Sequence, residues 1–282
     1  MTFSRTTRRV LLGALVSGLA VVYFPLLVVL LNSFNADPTF GWPPAGFTLE
    51  WWSRAAGNDG ALAALRTSVE AGVAATAIAL VLGTMAAFAL QRYKFIGRNP
   101  ISLLIVLPIA LPGIVTGIAL NNAFRTILGI NLGLFTAIVA HATFCVVVVF
   151  NNVVARLRRM GNNLEEASMD LGADGITTFR LVTFPMLRSA LLAGGLLAFA
   201  LSFDEIIVTN FTIGAGEQTL PIWIYSNLFR PHELPIVNAV AVIVILISII
   251  PVYLAHRLGG DEGPTAGRGA GGNIDPEATA VP

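Results

Sequence analysis

Six apolar runs of about twenty residues organise the chain, at about 10–31, 67–90, 101–121, 132–154, 189–210 and 236–257. Each is long enough to cross roughly 30 Å of hydrocarbon as a helix. The predicted fold is therefore all-α: a polytopic membrane protein with six transmembrane helices in a single domain over residues 1–258. An even number of spans puts both termini on one side. Beyond them, residues 259–282 are rich in Gly and Pro and lack apolar periodicity, which predicts a disordered tail dispensable for the core mechanism. The first run opens within TRRVLLGA, which resembles a twin-arginine leader. Its apolar length of about 22 residues, without a small-x-small site after it, predicts an uncleaved span instead.

Within the spans the pattern carries further detail. Ala75, Ala79, Gly83 and Ala87 recur every fourth residue in the second run, leaving one helix face almost without side-chain volume, so another helix can approach closely. In the third run Pro108 and Pro112 each remove a backbone hydrogen bond and bend the helix. Between the first two runs, FTLEWWSRAA reads as a short interfacial helix, with Thr48 as its cap and Trp51 and Trp52 in an aromatic belt at headgroup depth. The outward loop from about Phe211 to Pro235 contains Gly214, Gly216, Pro221 and Pro231, which read either as turns or as part of a contact with an external partner.

One interruption is too long for a simple connection. From Ala155 to Arg188 about 34 residues separate two spans that need far fewer to turn around. Asn163 can cap a helix carrying Glu166 at its third position, and Gly172 can end that helix in a left-handed conformation. Asp174 can cap a second short helix, and Pro185 marks the turn into the fifth span. The loop is thus two short helices joined at Gly172-Ala173 and lying across one membrane face.

Charge assigns that face. Arg5, Arg8, Arg9, Arg92, Lys94, Arg98, Arg156, Arg158, Arg159, Arg180, Arg188, Arg257 and Arg268 fall on one side, and only Arg54, Arg66, Arg125 and Arg230 on the other. The basic-rich side is cytoplasmic by the positive-inside rule, so both termini and the long loop are expected there. A formal net charge of +1, with basic residues dispersed, excludes a nucleic-acid footprint. The single cysteine, Cys145, permits no internal disulfide and reads as a packing residue.

The residues now reach a resemblance. EASMDLG, nine further residues and then VTFP resembles the EAA motif of inner-membrane permease subunits of bacterial binding-protein-dependent ABC importers, whose pattern is E-A-A, three residues, G, nine residues, I-x-L-P. Glu166, Ala167, Gly172 and Pro185 match at the same spacing, whereas Ser168, Val182 and Phe184 depart conservatively. The resemblance implies a type I ABC importer permease fold. It also implies that the loop, including Glu165, Glu166, Ala167, Ser168, Gly172, Ala173, Asp174 and Pro185, supplies the helices that dock into a separate ATP-binding subunit. The physical logic agrees: a rigid helix joined to transmembrane helices passes a domain movement into the bilayer. The chain itself has no G-x-x-x-x-G-K-[ST], so any ATP hydrolysis must come from a partner, and no catalytic residue, metal or cofactor is expected.

A second signal lies in ALSFDEIIVTNF, which puts Asp204 and Glu205 about five residues before the outer end of the fifth span. Carboxylates at such depth cost a few kcal/mol unless compensated, so they face a bundle interior or a watery path. They read either as lining a pathway for a cationic solute, or as paired with neighbouring helices or hydrated near the interface; adjacent helical positions differ by about 100°, so one of the two faces any path. With TLPIWIYS and VNAVAVIVI, this stretch resembles the second permease of spermidine/putrescine importers, which implies polyamines as cargo. Related permeases for other small organic solutes share the architecture. Phe203, Trp223 and Tyr225 could offer aromatic faces to ammonium groups, or serve as ordinary packing. Asn121, Asn122, Thr116 and His141 complete the intramembrane polar set, His141 being read as a helix-to-helix hydrogen-bonding residue.

The resemblance further implies a second permease, expected to be a sister chain, and an extracytoplasmic solute-binding protein. An intramembrane hydrolase finds no support: His232-Glu233 is not completed to H-E-x-x-H, and GAGE lacks the aspartate of G-x-G-D. An autonomous channel or secondary transporter would need neither an ATPase nor the loop, and no inverted repeat relates the two halves.

Overall fold

A computed structural model describes residues 4–38, 43–161, 163–230 and 233–259. The expected tail from residue 260 onward, including Arg268, lies outside the described residues, as do Pro231 and His232. Among the described residues all regular elements are helices: α1 Arg5–Asn32, α2 Glu50–Ala56, α3 Asp59–Arg92, α4 Arg98–Ala110, α5 Gly113–Asn122, α6 Leu134–Met160, α7 Asn163–Asp170, α8 Gly175–Thr178, α9 Phe184–Phe203, α10 Ile207–Thr212, α11 Leu220–Asn227 and α12 Leu234–Gly259. The long helices fall on the six apolar runs. Four helical stretches, 5–32, 59–92, 134–160 and 175–203, are individually long and apolar enough to cross a bilayer.

The third run is an exception. It is not one helix but two, α4 and α5, bent by 106° at Leu111–Pro112. Leu111 adopts φ −81°, ψ 143°, as the residue before a proline prefers, because the Pro112 ring would collide with a helical predecessor. Pro108 sits inside α4 without breaking it. A π-helical turn, Ala123–Ile127, continues α5.

The centre of the molecule is the trio α3, α6 and α9. On α3, Ala75, Ala79, Gly83 and Ala87 are all buried. A Cβ built on Gly83 would lie 2.9 Å from the Val146 carbonyl oxygen and 3.1 Å from the Phe150 nitrogen, so the α3 and α6 backbones touch there without room for a methyl group. In a bilayer, lipid tails are as apolar as leucine, and helices associate through such close packing. Leu90, Val149, Val153, Leu157 and Leu187 complete the inner cluster. Helix α1 stands at the periphery against α12, with no buried residue of its own.

A second apolar cluster joins α2, the start of α3, α11 and α12. Here Trp51 is only 8% exposed, and its Nε1 donates to the Asn35 carbonyl at 2.8 Å. Trp52 stacks on Phe34 with ring centroids 5.0 Å apart. Trp51 is therefore buried against protein, and Trp52 is half-buried. The distant acceptor that satisfies Trp51, sixteen residues back, is what permits its burial. Thr48 is not the cap expected of it: Leu49 occupies the cap position of α2, and Thr48, one residue earlier, accepts from the Glu50 N–H at 3.1 Å.

Candidate functional site

Two polar regions flank α9, one at each end. At the α7 end, α6 runs on to Met160 and α9 begins at Phe184, so the connection is 161–183, shorter than the expected 155–188. Asn163 is the first residue of α7 and not a cap outside it. Gly172 ends that helix with φ +87°, a left-handed conformation that favours glycine, and its N–H donates to the Met169 carbonyl at 2.9 Å. Asp174 caps α8, its Oδ1 accepting from the Thr177 N–H at 2.8 Å. Those Thr177 hydrogen bonds favour the charged form and hold the Asp174 carboxyl below its usual range.

Pro185 does not mark a turn. Residues 175–203 form one helical stretch, in which α8 passes through a π-helical turn, Phe179–Thr183, directly into α9. Pro185 occupies the first turn of α9, where its missing N–H is tolerated.

Within this connection the neighbouring acids differ. Glu165 points inward: Arg92 Nη2 at the end of α3 donates to its Oε1 at 2.9 Å, and Thr183 Oγ1 donates to the same oxygen at 2.9 Å. The two side chains of the ion pair are only 15% and 17% exposed. Arg92 also donates to the Gly161 carbonyl at 3.1 Å. Glu166 and Ala167 are exposed, while Ser168 is half-buried and exchanges a hydrogen bond with Thr178 at 3.1 Å. Leu171 (91% exposed) and Ile176 (78%) flank the half-buried Ala173 and the exposed Gly172, giving the α7–α8 corner an apolar outer surface. Arg92 and Thr183 were not singled out by the motif frame, which centres on Glu166; the doubled acid was the available signal.

At the other end the structure corrects the expected fifth span. Helix α9 stops at Phe203, well before residue 210, and a new helix α10 starts at Ile207. Asp204 and Glu205 are thus not adjacent positions on a continuous helix but the residues of a break. Asp204 follows the last turn of α9, its N–H donating to the Ala200 carbonyl, and its side chain is exposed. Glu205 is half-buried and its Oε1 accepts from the Val208 N–H at 2.9 Å, satisfying a free donor at the start of α10. The far end of α10 is tied in turn to α5 and α6. Asn121 Nδ2 on α5 donates to the Phe211 carbonyl, and Thr136 Oγ1 on α6 donates to the Thr212 carbonyl at 2.6 Å.

His141 is fully buried on α6 between Ser202 (2.7 Å from Nδ1) and Thr209 (2.8 Å from Nε2), so it makes helix-to-helix hydrogen bonds as its setting suggested. Ser202 and Thr209 escaped the sequence reading. The other expected pathway residues are dispersed. Asn122 is exposed and Thr116 half-buried. Phe203 packs beside Phe199 with centroids 5.8 Å apart. Trp223 is buried, 7% exposed, in the second cluster and offers no open face, whereas Tyr225 is exposed and edge-on to Phe229. Cys145 is buried, as expected of a packing residue.

Residues 79–259 match the model of the family described as binding-protein-dependent transport system inner membrane component. The chain belongs to this family. The permease is 33% identical over 267 residues to the spermidine/putrescine transport system permease protein PotC of Shigella flexneri, covering 94% of this chain and 98% of that protein. It is 32% identical over 254 residues to the putrescine transport system permease protein PotI of Escherichia coli K12, covering 86% and 89% of the two chains. Among solved structures it resembles a chain of a bacterial ABC transporter that imports the acidic polysaccharide alginate, with a TM-score of 0.66 at 16% identity, over 93% of this chain and 99% of that one. At that identity the likeness bears on the fold, which is that of an ABC importer permease.

Proposed function

We propose that this permease forms half of the translocation pathway of an ATP-driven importer of polyamines. The observation that carries the coupling half of this reading is the rigid connection of α7 and α8 to two core helices: α8 continues into α9, and Glu165 is clamped to Arg92 of α3. An ATP-binding subunit that grips the apolar α7–α8 corner moves α9 and α3 together, with no slack to absorb the stroke. The chain contributes no catalytic group to this process. Hydrolysis belongs to the ATP-binding subunit, a sister permease supplies the other half of the path, and an extracytoplasmic solute-binding protein delivers the cargo.

The six apolar runs serve as six spans of the inner membrane, with both termini and the α7–α8 connection cytoplasmic, as the basic residues favour. The polyamine assignment rests on the named cargo of the relatives and on the acids at the α9–α10 break. Such a cargo sheds part of its hydration in the membrane, and carboxylates at a break in a helix replace it without desolvating a continuous helical face. The test is a radiolabelled uptake panel in cells with and without this chain. Spermidine and putrescine uptake should require the chain, while a neutral and an anionic solute should be indifferent to it. Chain-dependent uptake of a non-cationic solute alone would sink the polyamine reading.

A further inference from the structure

The geometry points to His141 as a positioning residue for Glu205: a directed hydrogen-bond chain from His141 through Thr209 fixes the break that carries the acid. The inference rests on the reading of that break as part of the cation path. Its direction follows from proton counting. Thr209 has one hydroxyl proton, which it donates to the Glu205 carbonyl at 2.6 Å. Its contact with His141 Nε2 at 2.8 Å therefore requires the ring to donate, so Nε2 carries hydrogen. A neutral ring then leaves Nδ1 as an acceptor for the Ser202 hydroxyl at 2.7 Å. One tautomer satisfies every group without a buried charge.

The consequence is mechanical. Ser202 lies on the last turn of α9 and Thr209 on the first turns of α10, so His141 spans the break from a third helix. The Glu205 carbonyl is held by Thr209, and its carboxylate is held by the Val208 N–H. Backbone and side chain of the acid are therefore both fixed relative to α10, and α10 is fixed to α6 through His141. A core histidine serving packing alone would need neither partner on opposite sides of a break.

The test uses the intact importer in cells, with radiolabelled spermidine as the probe and membrane level and ATP-binding-subunit copurification as controls. His141→Asn keeps an acceptor near Nδ1 but loses the donor to Thr209, and Thr209→Val loses the hydroxyl at constant shape. Both should lower uptake about tenfold, as expected for one interhelical hydrogen bond. His141→Gln, whose amide reaches the Nε2 place, and Thr209→Ser should restore most of that loss. In a Glu205→Gln background, His141→Asn should cost nothing more. Nitrogen-15 spectra of the complex, assigned by difference with His141→Gln, should show one protonated and one bare ring nitrogen. Undiminished uptake in His141→Asn, equal losses for Asn and Gln, or additive losses with Glu205→Gln would each overturn the positioning role. Glu205→Gln with full spermidine uptake would instead overturn the pathway reading, and the tautomer signal and the Asn-against-Gln contrast would still report on the hydrogen-bond chain itself.

Discussion

The two ends of α9 solve opposite problems with the same helix. At one end α8 flows through a π-helical turn into α9, and the half-buried Arg92–Glu165 pair ties that joint to α3. At the other end α9 stops at Phe203 and the chain restarts as α10, with His141 on α6 bonded to a hydroxyl on each side of the break and Asn121 and Thr136 holding the last carbonyls of α10. The first end is built for transmission, since an unbroken, cross-braced helix moves as a unit. The second presents polar groups that a continuous apolar helix would hide. A π-helical insertion at the joint fits this division, because such turns concentrate at working positions of helices.

The comparison can be broken from either side. The largest effect is expected at the corner. Gly172→Pro forces φ near −65° where the chain needs +87° and removes the N–H that pairs with Met169. Uptake should fall about a hundredfold, equivalent to roughly 3 kcal/mol, while the chain still inserts and ATP hydrolysis persists. Glu166→Lys should uncouple in the same direction, by placing the wrong charge on the exposed face of α7. Retained uptake in either variant would remove the corner from the coupling path.

Next in size is the close core contact between α3 and α6. Gly83→Val places side-chain atoms where a Cβ alone would already sit 2.9 Å from the Val146 carbonyl oxygen. Overpacking of this kind costs about 1–3 kcal/mol and should appear as a lower melting temperature of the purified complex, whereas Gly13→Val, in open surroundings on α1, should leave it unchanged. At the α10 end, Glu205→Gln keeps an acceptor for the Val208 N–H and removes only the charge, and Asp204→Asn removes the charge of the exposed acid. Either should lower spermidine uptake about tenfold, roughly 1.4 kcal/mol. If a neutral solute's uptake suffers equally, the acids serve packing and not cation passage.

The smallest effect is at the α8 cap. Asp174 is held ionised by the Thr177 hydrogen bonds, so its folded-state value is depressed. Its contribution to the joint is complete above the ordinary aspartate range and is lost as pH falls through the depressed value. Asp174→Asn should weaken uptake only slightly at neutral pH and flatten this acid-side dependence; a steep loss at neutral pH would contradict a capping role.

Much of this architecture is legible without coordinates, and what is not shares one physical cause. The six apolar runs announce themselves by length, and the α7–α8 corner by Gly172 and Asp174, whose roles are local. The break at Asp204 is different. ALSFDEIIVTNF has no glycine or proline, and its local pattern continues a helix; the residue that spans the break, His141, comes from another helix more than sixty positions away. The burial of Trp51 is not legible locally, because the carbonyl that satisfies it lies across a loop. Pro108 and Pro112 predict bending equally, yet only Pro112, followed by Gly113, breaks the run. Glu165 was visible as an acid beside the motif, but its inward role depends on Arg92, which only the packing of α3 brings near.

Centrally, the Arg92–Glu165 brace is expected to pass the ATPase stroke into α3, so that α3 moves together with the continuous α8–α9 stretch. The most direct measurement is spermidine imported per ATP hydrolysed by the importer in proteoliposomes, wild type against Glu165→Gln. The account predicts that hydrolysis stimulated by the loaded binding protein continues while the transport ratio falls about tenfold, near the strength of one charge-assisted hydrogen bond. An unchanged ratio, with uptake and hydrolysis falling together or not at all, would contradict it.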